Sequence, residues 1–219
     1  MLLTFMNSPA SIFLAALSCA CLGAQEPKLI HGSETVTLQG QAPDPRTLQK
    51  IFSNLGPATN AYFTQGWWNI IGPNSGSGFS QFTAMPFTPQ ASSHVWQLRA
   101  AIKNSGVGAN QVNLSLYSDA GGVPATLLAG PVTVTNLSNS PACCQLAVAN
   151  FGAGVAVIAG TQYWVVADTP SSGTGSDFRG LWAFVPPSKK LVGQNLGQSW
   201  YTIPAAIQDP AGAVYGTIP

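Results

Sequence analysis

Residues 110–130 read NQVNLSLYSDAGGVPATLLAG, and the fold follows from this stretch. Val112, Leu114 and Leu116 alternate with Gln111, Asn113, Ser115 and Tyr117. A period of two puts the apolar set on one face, as in a strand with one side in a core. Asp119-Ala120-Gly121-Gly122-Val123-Pro124 then supplies turn chemistry. Glycines accept positive φ, and proline cannot donate to a central ladder. A second apolar run follows, so the stretch predicts a strand, a turn and another strand.

Outward from it, aromatic and β-branched segments recur from Ile51 onward between Gly, Pro, Asn and Ser clusters. The pattern predicts strands over 61–71, 80–87, 94–103, 111–118, 125–134, 145–151, 155–158, 161–168, 180–185 and 198–203. In the third, Trp96, Leu98, Ala100 and Ile102 share a face opposite Gln97, Arg99 and Lys103. No segment keeps a 3.6-residue apolar period with caps, so helix content is expected to be low. About ten short strands separated by turns predict an all-β, antiparallel two-sheet β-sandwich, jelly-roll-like so that few edges are exposed.

At 219 residues the chain is long enough for one large β-domain whose core needs no staples. Charged residues make up 7%, against roughly 25% in ordinary soluble domains. Ser, Thr, Asn and Gln supply the polar character instead. A net charge of +1 leaves no basic footprint for nucleic acid and no polybasic patch for a membrane surface.

Residues 11–22, SIFLAALSCACL, form an apolar run of signal-peptide length, too short to span a bilayer comfortably. Small residues around Ser18-Cys19-Ala20 and Cys21-Leu22-Gly23 suit cleavage, although no Lys or Arg precedes the run. We therefore expect a signal peptide over residues 1–24 with an uncharged n-region, and a secreted mature chain without a membrane segment. Acylation of Cys19 or Cys21 is the less favoured alternative. Residues 25–50 carry Pro27, Pro43 and Pro45 among polar residues and read as a linker or flexible arm, with one short strand over 34–38. Residues 51–219 are the expected sandwich domain.

Beyond the signal, Cys143 and Cys144 remain. Adjacent Cα atoms sit about 3.8 Å apart, below the roughly 4.4–6.8 Å usual for a disulfide. Two unbridged cysteines, a strained vicinal bridge and pairing with another chain stay open, the first favoured. His31 and His94 are isolated and no Cys/His spacing recurs, so no metal or cofactor is expected.

A polysaccharide hydrolase needs two carboxylates facing one another. Residues 51–219 offer Asp119, Asp168, Asp177 and Asp209. Asp119 opens a Gly-rich turn, where its side chain is expected to accept from backbone N–H groups. Asp168 and Asp177 flank the loop 169–176, but a Ca²⁺ site there lacks an Asp-x-Asp-x-Asp run. There is no Gly-x-Ser-x-Gly elbow, and residues 72–78 lack the Lys and helix of a phosphate loop. His94 reads as an ordinary strand-end residue. The sequence points away from an enzyme.

Aromatics carry more promise. Trp67, Trp68, Trp182, Trp200 and Tyr201 lie near turn-rich segments. Sugar rings present apolar C–H faces that stack on flat indoles, while Asn and Gln bond their hydroxyls. The competing reading is that these rings pack the sandwich or its edges. Trp96 and Trp164 sit inside clear strands and read as structural. Asn113-Leu114-Ser115 and Asn136-Leu137-Ser138 fit the glycosylation sequon, a pattern common by chance.

Five motifs occur in order: IFSNLG at 51–56, Trp67-Trp68, AMPFTP at 84–89, LYSDAGGVP at 116–124 and IAGTQYWVV at 158–166. Together they cover residues 50–185 and resemble the bacterial exported module called the choice-of-anchor R domain. The resemblance implies a secreted or surface-displayed β-sandwich of undefined biochemical role, with no catalytic residues to carry over. Members of that family end in different surface anchors. This chain ends Gly216-Thr217-Ile218-Pro219, which points to free secretion. The expected function is a secreted, non-catalytic module for extracellular interaction, adhesion or matrix. A carbohydrate-binding module stacking sugars on surface tryptophans is the alternative, and a hydrolase the least favoured. The expected partner is a polysaccharide or an extracellular protein.

Overall fold

Val112, Leu114 and Leu116 are fully buried, as their alternation predicts. A computed structural model describes residues 29–31, 33–37, 44, 47–56, 61–63, 66–139, 145–185, 192–203 and 209–219. The expected signal peptide over 1–24 and the Cys143–Cys144 pair lie outside the described residues.

The first strands among the described residues are β1 (Leu29–His31), β2 (Ser33–Thr37), β3 (Gln49–Ser53), β4 (Ala61–Phe63) and β5 (Trp67–Ile71). Next come β6 (Phe82–Phe87), β7 (Ser93–Ala100), β8 (Ile102–Val107), β9 (Gln111–Ala120), β10 (Val123–Thr135) and β11 (Gln145–Val157). The last are β12 (Tyr163–Asp168), β13 (Arg179–Ala183), β14 (Val192–Asn195), β15 (Trp200–Ile203) and β16 (Gly212–Thr217). No α-helix occurs among the described residues. The protein is all-β.

These strands form four sheets. A six-stranded sheet runs β10-β9-β12-β6-β14-β15 and a five-stranded sheet β2-β11-β7-β16-β3. A three-stranded sheet runs β5-β13-β8, and β1 pairs with β4. Pairing is antiparallel except between β2 and β11, which run parallel. Alternation explains the core. Met85, Leu114, Leu116 and Val165 from the six-stranded sheet meet Val95, Leu98, Ala149 and Val214 from the five-stranded one. Ile70, Ile102 and Trp182 of the three-stranded sheet close the same cluster. Each sheet turns its even-period apolar face inward, which is where most of the burial free energy lies.

The structure departs from the sequence reading in several places. Sixteen strands occur among the described residues, more than the ten expected. The run 61–71 breaks into β4 and β5, and 94–103 breaks at Ala101 into β7 and β8, which join different sheets. The runs 145–151 and 155–158 fuse into β11, whose register slips between Asn150 and Val155. Within the segment 25–50 the short strand expected over 34–38 is present as β2, but Leu29–His31 forms a further strand and β3 already begins at Gln49.

Trp96 also moves. Strand β16 shifts register between Tyr215 and Gly216 where it meets β7. Opposite β16 the extra residue is Trp96 of β7 itself, and β11 slips at the same place, so Val95 enters the core and Trp96 is left half-buried, not on the face of Leu98. A Cβ at Gly154 would lie 2.6 Å from its ring. The polar side of β7 is held by its own contacts. Gln97 donates to Asn150 Oδ1 (2.7 Å), Arg99 Nε donates to Gln97 Oε1 (2.6 Å), and the Arg99 guanidinium sits 4.2 Å from the Tyr215 ring centroid.

Strand β16 escaped the sequence reading because Gly212 and Gly216 interrupt its alternation. At Gly216 the bulge brings the His94 carbonyl so close that any Cβ would overlap it, with Ile51 Cδ1 at 2.5 Å behind. Gly216→Ala is therefore expected to destabilise the fold by about 1–3 kcal/mol, read as a lower denaturation midpoint at unchanged slope. An unchanged midpoint would show that this register can relax.

Candidate functional site

On β9 the residues between the buried leucines point to the other side of the six-stranded sheet. Cross-strand register extends that face into rows. Thr133 stands opposite Asn113, and Asn113 opposite Asp168. Phe82 stands opposite Asn195, and Asn195 opposite Trp200. Because Ala167 pairs antiparallel with Thr83, Asp168 and Phe82 are the neighbours that join these two halves. One transverse row, Thr133–Asn113–Asp168–Phe82–Asn195–Trp200, thus crosses all six strands.

Behind it lies a row of short side chains, Ser115, Val166, Ala84 and Gly193. A third row holds Tyr117, Trp164 and Pro86. The Trp164 indole is fully buried, and its Nε1–H donates to Asp119 Oδ1 at 2.7 Å. Gln162 Nε2 donates to the same oxygen at 2.7 Å, and the Gly122 N–H to Oδ2 at 3.2 Å. Asp119 thus caps its own turn, as its position predicts, and also anchors the tryptophan.

Gly193 reveals the curvature. A Cβ there would lie 3.1 Å from Ala84 Cβ, 3.3 Å from the Trp164 ring and 3.4 Å from Pro124 Cδ. Pro124 is the second residue of β10, which is separated from β14 by three strands in the sheet. The sheet therefore curls over Trp164 until β10 and its opposite edge strand β15 approach each other. This end of the face is closed. The first row lies at the other end, where Thr133, Asp168, Phe82, Asn195 and Trp200 are all partly exposed.

Within that row the hydrogen bonds have a direction. Thr133 Oγ1 donates to Asn113 Oδ1 at 2.9 Å, which leaves the Asn113 amide N–H groups to serve the Asp168 carboxylate. Burial raises the Asp168 carboxyl from the ordinary carboxylate range to about 6, against the opposing pull of the Asn113 hydrogen bond. The Tyr117 phenol is pushed upward too, by burial first and then by the charge of Asp168.

The five aromatic candidates do not form one platform. Trp182 is wholly buried and donates its indole N–H to the Ala211 carbonyl at 2.8 Å, so it presents no face to a ligand. This corrects its reading as a surface tryptophan. Trp67 lies under Lys103, whose Nζ is 3.9 Å from the ring centroid, and burial lowers that lysine's pKa. Trp68 packs against the main core. Trp67 and Trp68 stand on β5 opposite Ala183 and Trp182, whereas Trp200 and Tyr201 belong to the six-stranded sheet. Tyr201 is 40% exposed on the side away from the transverse row and hydrogen-bonds Gln194 Oε1 at 3.3 Å. Trp200 alone joins the row, packed along the Ala84–Trp164–Val166 cluster.

Its partners Thr133, Asn113, Asp168, Phe82 and Asn195 were not singled out together from the sequence. Alternation marks Asn113 as outward-facing, but the register that sets it beside Asp168 is a tertiary fact. Asp177 is not beside Asp168 in function either. Its Oδ1 accepts the Ala109 N–H at 3.0 Å, so the two carboxylates suggested for Ca²⁺ serve different elements. Among the described residues, no three His, Cys, Asp or Glu gather as metal ligands. No family model matches the chain, and no curated protein matches it.

Two outcomes are expected. The folded Asp168 holds its proton more tightly than the unfolded chain, whose carboxyl titrates near 4. Its contribution is therefore full below about pH 4 and is lost as pH rises through about 6, a span of about 3 kcal/mol. Asp168→Asn should flatten that part of the stability–pH curve measured by urea unfolding at each pH; an unaltered curve would contradict it. Asp119→Ala strands the buried Trp164 N–H and should cost about 2–3 kcal/mol in the same assay.

Proposed function

We propose that the chain is an exported, non-catalytic β-sandwich module that acts by binding at its surface, in extracellular interaction, adhesion or matrix. On this reading the two larger sheets are the sandwich, jelly-roll-like in order, and a signal peptide over residues 1–24 directs export. The resemblance of its motifs to the choice-of-anchor R domain supports the same proposal.

The observation that carries it is where the carboxylates stand. Asp119 and Asp168 share a face, but Asp168 pairs with Asn113, six residues from Asp119 along the sheet. At about 3.3 Å per residue the two are roughly 20 Å apart. Glycoside hydrolysis needs its pair within roughly 5–9.5 Å. Asp119 is further occupied by three hydrogen bonds and Asp177 by the Ala109 N–H. These acids hold the fold together, and the face they frame is left for binding.

Residues 25–219 are expected to release no reducing sugar from starch, xylan or mixed-linkage β-glucan. Release above that of the Asp168→Asn variant, rising linearly with enzyme and time, would overturn the proposal.

A further inference from the structure

We propose that the transverse row of the six-stranded sheet is the binding surface for a neutral oligosaccharide chain, with Trp200 and Phe82 as its stacking side chains and Asn113, Asp168, Thr133 and Asn195 as its hydrogen-bonding ones. This rests on the reading of the chain as a binding module and names the ligand class of that module.

The chemistry of the row is unlike that of the rest of the face. Behind it, Ala84, Val166 and Trp164 form a small closed apolar cluster. In the row itself, rings and hydrogen-bonding groups divide by strand. Phe82, Asn195 and Trp200 stand on the adjacent strands β6, β14 and β15. Thr133, Asn113 and Asp168 stand on β10, β9 and β12. A ligand lying across the strands thus meets ring surface on one half and amide, hydroxyl and carboxyl on the other. Linked pyranoses present both: apolar C–H faces that stack, and hydroxyls that both donate and accept.

Charge and length choose the occupant. β6, β10, β14 and β15 contain no Asp, Glu, Lys, Arg or His, so Asp168 is the one ionisable side chain of the row. Among the described residues, the other titratable groups on the face are Tyr117, within range of its charge, and Asp119 at the far end. An anionic polymer would meet a carboxylate without a cation beside it in the row, and a basic peptide would find a single acid. A neutral chain meets no such mismatch. Six strands at about 4.8 Å spacing give a row of roughly 24 Å measured along the curved sheet, more than one sugar ring covers.

The row is also built to hold its donors still. Asn113 is 7% exposed, with its carbonyl oxygen fixed by Thr133 and its amide by Asp168. The Asn195 carbonyl oxygen accepts the Gly197 N–H at 2.7 Å, which leaves its amide N–H groups to point outward from a fixed plane. Trp200 is seated against the Ala84–Trp164–Val166 cluster, so its exposed surface costs little further side-chain entropy on binding.

Affinity electrophoresis of residues 25–219 in gels cast with soluble starch, galactomannan or mixed-linkage β-glucan tests this. Retardation by at least one of these neutral polymers is expected. Trp200→Ala should weaken it about tenfold, and Asn113→Ala by a similar factor. Trp200→Phe, which keeps a ring against the Ala84–Trp164–Val166 cluster, should restore part of the loss and guards against a folding defect. Tyr201→Ala, on the opposite face, should leave retardation unchanged. Equal retardation of wild type and Trp200→Ala, a loss confined to Tyr201→Ala, or no retardation by any of the three polymers would overturn the proposal. None of those outcomes touches the non-catalytic reading, which fails on the release of reducing ends instead.

Discussion

The Trp164 indole constrains more of this molecule than any other group. It has one donor, and it sits where no water reaches, so that donor must find a fixed acceptor or cost about 1–3 kcal/mol. Asp119 is that acceptor, and Asp119 belongs to the turn between β9 and β10. The bond therefore ties a hairpin end to β12. It also settles where β10 begins, and Pro124 at that point lies over Gly193 of β14. Any side chain at Gly193 would press on Ala84, Trp164 and Pro124 together. One buried N–H, one turn carboxylate and one missing Cβ thus close a six-stranded sheet on itself at one end.

Closure at one end leaves the other partly open, which is how the fold acquires two unlike surfaces from one sheet. Near Trp164 the outer face is a second small core. Four residues further along each strand it becomes a row of polar and aromatic side chains that solvent reaches. The five-stranded sheet shows the contrast. Its outward polar residues Gln97 and Asn150 are almost wholly buried and bond each other, and Arg99 completes the set over Tyr215. Those groups satisfy one another. In the transverse row, only the Thr133–Asn113–Asp168 half is so connected, and the Phe82–Asn195–Trp200 half presents rings and amide N–H groups to the outside.

How far the sequence foretold this depends on which forces act locally. The hairpin around Asp119, the alternation in β9 and the all-β character were legible, because strand period and turn chemistry act within a few residues. The register of β7 was not, because the displacement of Trp96 by Val95 comes from how β7 bulges against β16 and slips against β11, two strands distant in the chain. Strand β16 was hidden by Gly212 and Gly216, whose absent side chains are demanded by Arg99, Met85 and His94 from other elements. Among the site candidates the same division holds. Trp200 could be named from its neighbourhood of turns, but so could Trp182, and only the packing separates the exposed ring from the buried one. Thr133, Asn113 and Asp168 lie 20 or more residues apart in the chain, so no local pattern joins them.

The presence of an aspartate in that row is itself informative. Burial makes its ionised form costly near neutral pH, and Asn113 recovers only part of that cost. An asparagine there would keep hydrogen-bonding capacity towards Asn113 without carrying a charge. A group that works against stability where a neutral isostere fits marks the kind of place at which proteins trade stability for a site. Its partners agree: the acid sits at the centre of the row, beside a fixed amide and next to the strand that carries Phe82. On the proposed reading the ionised carboxylate, partly exposed beside Asn113, is an acceptor towards which a sugar hydroxyl can donate.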